Sequence, residues 1–141
     1  RALSADFTGE GWRTMLGYLD APVMDASQAG QTLGTLAKEY DFALFEYWAS
    51  DYAGHKQEMD DAIRLMETFD GVLGGLTEMW NDGLILVTSD HGNMEDLSTR
   101  KHTDADVPAL VIGDKTARQE FTRGMKDLTH IAPAIWRTVM Q

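Results

Sequence analysis

From Ser27 onward the apolar positions follow two alternating periods. Leu33, Leu36, Ala37 and Tyr40 recur at helical spacing, with Ser27 in place as an N-cap. DFALFEYW, Asp41 to Trp48, is short, apolar and aromatic, which predicts a buried strand. SDYAGH then reads as a loop. Met59, Ile63, Met66, Phe69, Leu73 and Leu76 mark one face of a long helix, with Met59 and Met66 facing the core. Gly71, Gly74 and Gly75 should each weaken that helix by about 1 kcal/mol relative to alanine.

Asn81-Asp82-Gly83 ends the helix and turns the chain into LILV, a second strand. A polar loop leads to VPALVIG, Val107 to Gly113, a third strand. The last helix carries Leu128, Ile131, Ile135 and Val139 on one side, with Pro133 near its start, where proline is tolerated. Residues 1–24 hold Phe7, Trp12, Met15, Leu16 and Tyr18 among glycines and predict no definite element. The alternation of helices and short apolar strands predicts a single α/β domain over residues 1–141, a mainly parallel sheet flanked by helices. Ligands in such sheets gather beyond the carboxyl ends of the strands.

Composition narrows the functional classes. Twelve Lys and Arg against 23 Asp and Glu give a net charge of -11, which repels a phosphate backbone and argues against nucleic-acid binding. The same charge suits cations. No apolar run approaches the ~20 residues needed to span a bilayer, so no membrane partner is expected. With no cysteine, disulfides, thiolate metal sites and a Cys nucleophile are excluded. A cytoplasmic location is the default expectation.

Three of the four histidines lie beside predicted strand edges, each near a carboxylate or hydroxyl. They occur in Asp51-Tyr52-Ala53-Gly54-His55, in Asp90-His91-Gly92 and in His102-Thr103. Imidazole and carboxylate together suit Zn²⁺ or Mn²⁺. Five ligands exceed what one four-coordinate ion needs, which points to a pair of ions about 3.5–4 Å apart, the arrangement used for displacement at phosphorus. Singly, each motif has an ordinary alternative. Asp-x-x-x-His in a loop is commonly surface polarity, and Asp-His-Gly after a strand can be an N-cap and turn. Together and in order, they favour a metal site, one that would fail at acidic pH as the imidazoles protonate.

The segments EYWASDYAGH (Glu46 to His55), TSDHGNMED (Thr88 to Asp96) and HTDADVP (His102 to Pro108) resemble motifs of the alkaline phosphatase superfamily. Within it they are most similar to the cofactor-independent phosphoglycerate mutases. LTHIAPAIWRTV resembles that family's closing helix, with His130 where Asp is usual, and the match covers residues 25–141. The resemblance implies an alkaline-phosphatase-like fold, of which this chain is a C-terminal part. It implies one metal held by Asp51, His55 and His102 and a second held by Asp90 and His91, two divalent ions, Mn or Zn. It places Asn93 beside the metals, as a contact to a small phosphorylated substrate. Glu95, Asp96, Asp104 and Asp106 read either as partners for the histidines or, equally well, as residues of a solvated loop. The family's nucleophilic Ser or Thr and its N-terminal Asp ligand have no counterpart in this chain.

Two functions remain open on this reading. One is metal-dependent phosphoryl transfer or phosphate-ester hydrolysis, as in a mutase, phosphatase or phosphodiesterase, with this chain supplying metal ligands but inactive alone. The other is a non-catalytic, degenerate metal-binding domain of the same fold.

Overall fold

A computed structural model describes residues 3–140. Its elements in chain order are α1 (Glu10–Thr14), α2 (Ala26–Ala37), α3 (Trp48–Lys56), α4 (Met59–Met79), β1 (Leu84–Thr88), β2 (Ala109–Gly113), α5 (Lys115–Phe121) and α6 (Ile131–Val139). A single 3₁₀ turn, Leu128–His130, leads into α6. The described residues fall into two compact units. One comprises the chain up to Trp80 together with Asn93–Thr103; the other comprises Asn81–Gly92 and the chain from Asp104 onward.

The first unit is built on α2 against α4, whose backbones approach closely where side chains are missing. A Cβ at Gly30 would lie 2.0 Å from the Val72 carbonyl oxygen, and one at Gly75 would lie 2.0 Å from that of Ser27. The glycines of α4 thus do more than weaken a helix: Gly75 lets the neighbouring helix in. Gly74, one residue away, faces open space. The N-cap of α2 is Asp25, not Ser27. The Asp25 carboxylate accepts the Gln28 backbone N–H, and the Gln28 side chain reaches back to the Asp25 N–H, a reciprocal capping box.

Ala29 and Val72 meet Phe7 in the core, with Leu33, Phe45, Tyr47 and Phe69 packed around them. Met59 and Met66 are exposed, against expectation, as is Ile63 between them. The buried residues of α4 are instead Ala62, Val72 and Gly75, and the close approach of α2 falls along residues 71–79. The Phe7 ring stacks on Phe45 at 4.6 Å and lies 4.6 Å from Tyr47. Burial, with the nearby Asp6 charge adding to it, pushes the Tyr47 phenol up to about 12. Asp6 itself is pushed up by burial, but the Ser4 hydroxyl and the Gly11 and Gly9 N–H groups outweigh that and hold its carboxyl below the usual range.

Asp41–Trp48, the first expected strand, forms no regular strand among the described residues, and Trp48 opens α3 instead. Phe45 and Tyr47 turn inward while Phe42 and Leu44 stay exposed, so the alternation of a strand is present without a ladder partner. The other two expected strands do form. They pair antiparallel, from Leu84 opposite Gly113 to Thr88 opposite Ala109, where the pattern predicts mainly parallel pairing. The reason lies in their connection. A parallel pair needs a long crossover, usually a helix, and residues 89–108 contain no helix. In this second unit Asp114 caps α5, an element absent from the pattern reading, by accepting from the Thr116 and Ala117 N–H groups. Phe121 and Ala134 are its buried apolar residues among those described.

Neighbouring glycines of α4 should respond oppositely to the same change. Gly74→Ala should stabilise the chain by up to about 1 kcal/mol through helix propensity alone. Gly75→Ala should destabilise it by about 1–3 kcal/mol by forcing α2 away. Urea midpoints at constant slope separate the two, and shifts of the same sign would contradict the packing described.

Candidate metal centre

α3 brings the first ligands together. Asp-x-x-x-His, expected in a loop, lies instead within this helix, and a four-residue spacing puts both side chains on one helical face. The helix is pinned at its start by Tyr47, whose ring packs on the core and whose carbonyl accepts the Ser50 hydroxyl at 2.9 Å. His55 Nε2 lies 3.4 Å from Asp51 Oδ2. From 47 residues further along, His102 places Nε2 3.2 Å from Asp51 Oδ1 and 3.3 Å from His55 Nε2.

The two contacts to Asp51 use different carboxylate oxygens, and one donor atom from each residue lies within 4.8 Å of the others, close enough to converge on one small cation. Four ligands at 2.0–2.1 Å around a tetrahedral Zn²⁺ stand about 3.3 Å from one another. Two imidazoles and one carboxylate leave a fourth position for water or substrate, as in catalytic sites. The protonation pattern agrees. His55 Nδ1 lies 2.7 Å from the Arg100 carbonyl, which can only accept, so the proton sits on Nδ1 and the Nε2 lone pair faces the cluster. All three side chains are part-exposed, between 40% and 48%, so a bound ion would be within reach of a small molecule.

The loop that carries His102 is tied to α3 from several sides. α3 ends at Gln57, in the left-handed region at φ 63°, unusual for a side chain of this kind. Its amide donates to the Leu97 carbonyl at 3.0 Å and accepts from Arg100 Nε at 2.9 Å. Asn93 is buried, and its Nδ2 donates to Asp51 Oδ1 at 2.8 Å. Glu95 accepts the Asn93 backbone N–H at 2.6 Å through Oε2 and the Thr103 hydroxyl through Oε1. The Thr103 hydroxyl above all holds the Glu95 carboxyl below its usual range. Of the other acidic residues expected beside the histidines, Asp96 accepts from the Ser98 N–H and hydroxyl, and Asp104 and Asp106 are exposed. Reading Asp51 and His55 as a helical pair would have found α3. Gln57 carried no signal.

Asp90 and His91 lie just beyond β1, in the second compact unit. His91 Nε2 is 3.5 Å from Asp90 Oδ1, and the Ser89 hydroxyl donates to the His91 carbonyl at 2.8 Å. His130, which stands where the family's closing helix has Asp, has Nδ1 2.9 Å from the Asp127 carboxylate at the 3₁₀ turn. The Thr129 hydroxyl first, then the His130 contact, lower the Asp127 carboxyl from its usual range.

The family model for the metalloenzyme superfamily matches residues 14–140. The chain belongs to this superfamily. Its metalloenzyme relatives include 2,3-bisphosphoglycerate-independent phosphoglycerate mutases. That of Desulforudis audaxviator is 31% identical over 122 residues, covering 81% of this chain and 24% of the relative. That of Vibrio atlanticus is 31% identical over 125 residues, with the same coverage, 81% and 24%. That of Laribacter hongkongensis is 32% identical over 108 residues, covering 70% and 21%. The chain thus spans about a quarter or less of the length of these relatives. No solved structure matches it. No helix of the described residues is long and apolar enough to cross a membrane.

Gln57→Ala removes both side-chain bonds to the loop. At about 1 kcal/mol each, amide exchange across residues 97–102 should speed by roughly tenfold or more. Exchange within α2 should stay as it was. Equal protection of the loop in both proteins would show that Gln57 does not hold it.

Proposed function

We propose that this chain supplies the metal-ligand part of a binuclear phosphoryl-transfer centre of the phosphoglycerate mutase kind. The observation that carries the reading is the cluster of Asp51, His55 and His102, one donor atom from each lying within 4.8 Å of the others. Membership of the superfamily supports it. Asp51, His55 and His102 hold one divalent ion, Mn or Zn, and Asp90 with His91 hold a second. Bound there, such ions supply Lewis-acid polarisation of phosphoryl oxygens and stabilise a leaving oxygen.

The Arg100 carbonyl, 2.7 Å from His55 Nδ1, fixes the His55 tautomer that ligation through Nε2 needs. The nucleophilic hydroxyl and the remaining ligand come from outside residues 1–141, so the chain alone does not turn over phosphate esters. In the complete protein these residues form part of one alkaline-phosphatase-like α/β domain with a mainly parallel sheet, and this chain is its C-terminal part. The substrate is a small phosphorylated molecule, contacted in part by Asn93, and the setting is cytoplasmic. A degenerate, non-catalytic metal-binding domain of the same fold is the second reading. Phosphate-ester turnover by the full-length protein, abolished by His91→Ala, separates the two.

Ligand assignment has a direct test. His55→Ala should weaken Zn²⁺ or Mn²⁺ binding at least tenfold in chelator competition. His130→Ala should leave it unchanged. Equal losses from both would overturn the assignment.

A further inference from the structure

Among the described residues Asn93 is the buried polar side chain, only 6% exposed. Its Nδ2 is committed to Asp51 Oδ1 at 2.8 Å, with the Asp51 carbonyl also near at 3.4 Å. Its Oδ1 is buried with no hydrogen-bond donor in reach. Leaving a buried amide oxygen unmet costs free energy, so a side chain chosen for packing alone would be apolar. That oxygen lies where any side chain at position 54 would begin. A Cβ on Gly54 would fall 1.6 Å from Asn93 Oδ1 and 2.5 Å from Cγ. Gly54 is itself buried in the turn of α3 between the two helix-borne ligands.

Asn93 therefore rests on bare helix backbone with its N–H₂ aimed at one carboxylate oxygen. That bond fixes the rotation of the Asp51 carboxylate, whose other oxygen lies towards His55. The same short segment continues to His102. The Asn93 N–H donates to Glu95, and Glu95 accepts the hydroxyl of Thr103, the residue next to His102. One chain of hydrogen bonds thus joins the segments bearing Asp51 and His102.

We propose that Asn93, seated on Gly54 and braced by Glu95 and Thr103, is a positioning residue that preorganises Asp51 and His102 for metal binding. The inference rests on the ligand set proposed above. It gives Asn93 a role distinct from substrate contact, because it acts before any substrate is present. Ligand-orienting partners of this kind are worth about 10–100-fold in metal affinity.

The test uses the full 141-residue chain. Zn²⁺ affinity is measured by chelator competition, the visible spectrum is recorded with Co²⁺, and the urea midpoint is taken without metal. Asn93→Ala and Gly54→Ala should each weaken Zn²⁺ binding by about 10–100-fold and alter the Co²⁺ ligand-field bands. Thr103→Val, which removes one hydroxyl and little packing, should act in the same direction and carries the test if the buried variants do not fold. Gly74→Ala, remote from any neighbouring side chain, should leave affinity and spectrum unchanged. Wild-type affinity with an unchanged Co²⁺ spectrum in folded Asn93→Ala, or in Thr103→Val if only that variant folds, would overturn the proposal. Failure of the unmutated chain to bind Zn²⁺ or Co²⁺ at all would instead overturn the ligand reading beneath it.

Discussion

Backbone against backbone, where α2 crosses α4, is the contact on which the first compact unit depends. With hydrogen at Gly30 and Gly75, each helix admits a carbonyl of the other at a distance no Cβ allows. That closeness leaves room only for Ala29 and Val72 at the centre and brings Phe7, Phe69 and Tyr47 into one aromatic group. Tyr47 then sets where α3 begins. One turn of α3 separates Asp51 from His55, so the helix crossing ultimately positions two of the three clustered ligands. The third arrives on a loop held down by hydrogen bonds rather than by apolar burial. A site assembled this way joins a rigid part to an adjustable one, and polar contacts set the adjustable part.

How much of this was legible in the sequence varied with the kind of signal. α4, β1 and β2 follow from apolar periodicity and formed where that pattern put them. The start of α2 did not, since Asp25 and Ser27 are both good caps and only the reciprocal Gln28 bond chooses between them. Met59 and Met66 have the spacing of a core face, yet small residues took that place. Periodicity counts apolar positions; it does not register which stretch of a helix its neighbour will cover. The antiparallel pairing was recoverable, because the polar stretch between β1 and β2 offers no crossover helix.

The site was legible in composition more than in geometry. The residue types and order of Asp51, His55 and His102 suggested a metal, and the fold brings those three together. Their mode of support was hidden. Asn93 reads in sequence as one more polar loop residue, and Gly54 as a turn; their fit to each other is visible only in space. Glu95 alone among the nearby acids turned out to link Asn93 with Thr103. The surrounding charge of -11 adds a broad attraction for cations, while the donor set decides where one would rest.

Everything proposed for this site requires that a divalent ion can sit among Asp51, His55 and His102. Anomalous diffraction from crystals of this chain grown with Zn²⁺ tests it most directly. The expected result is an anomalous peak bonded to a carboxylate oxygen of Asp51 and to Nε2 of both histidines, at about 2.0–2.1 Å. Zinc found only elsewhere on the acidic surface, with these three side chains unligated, would contradict it.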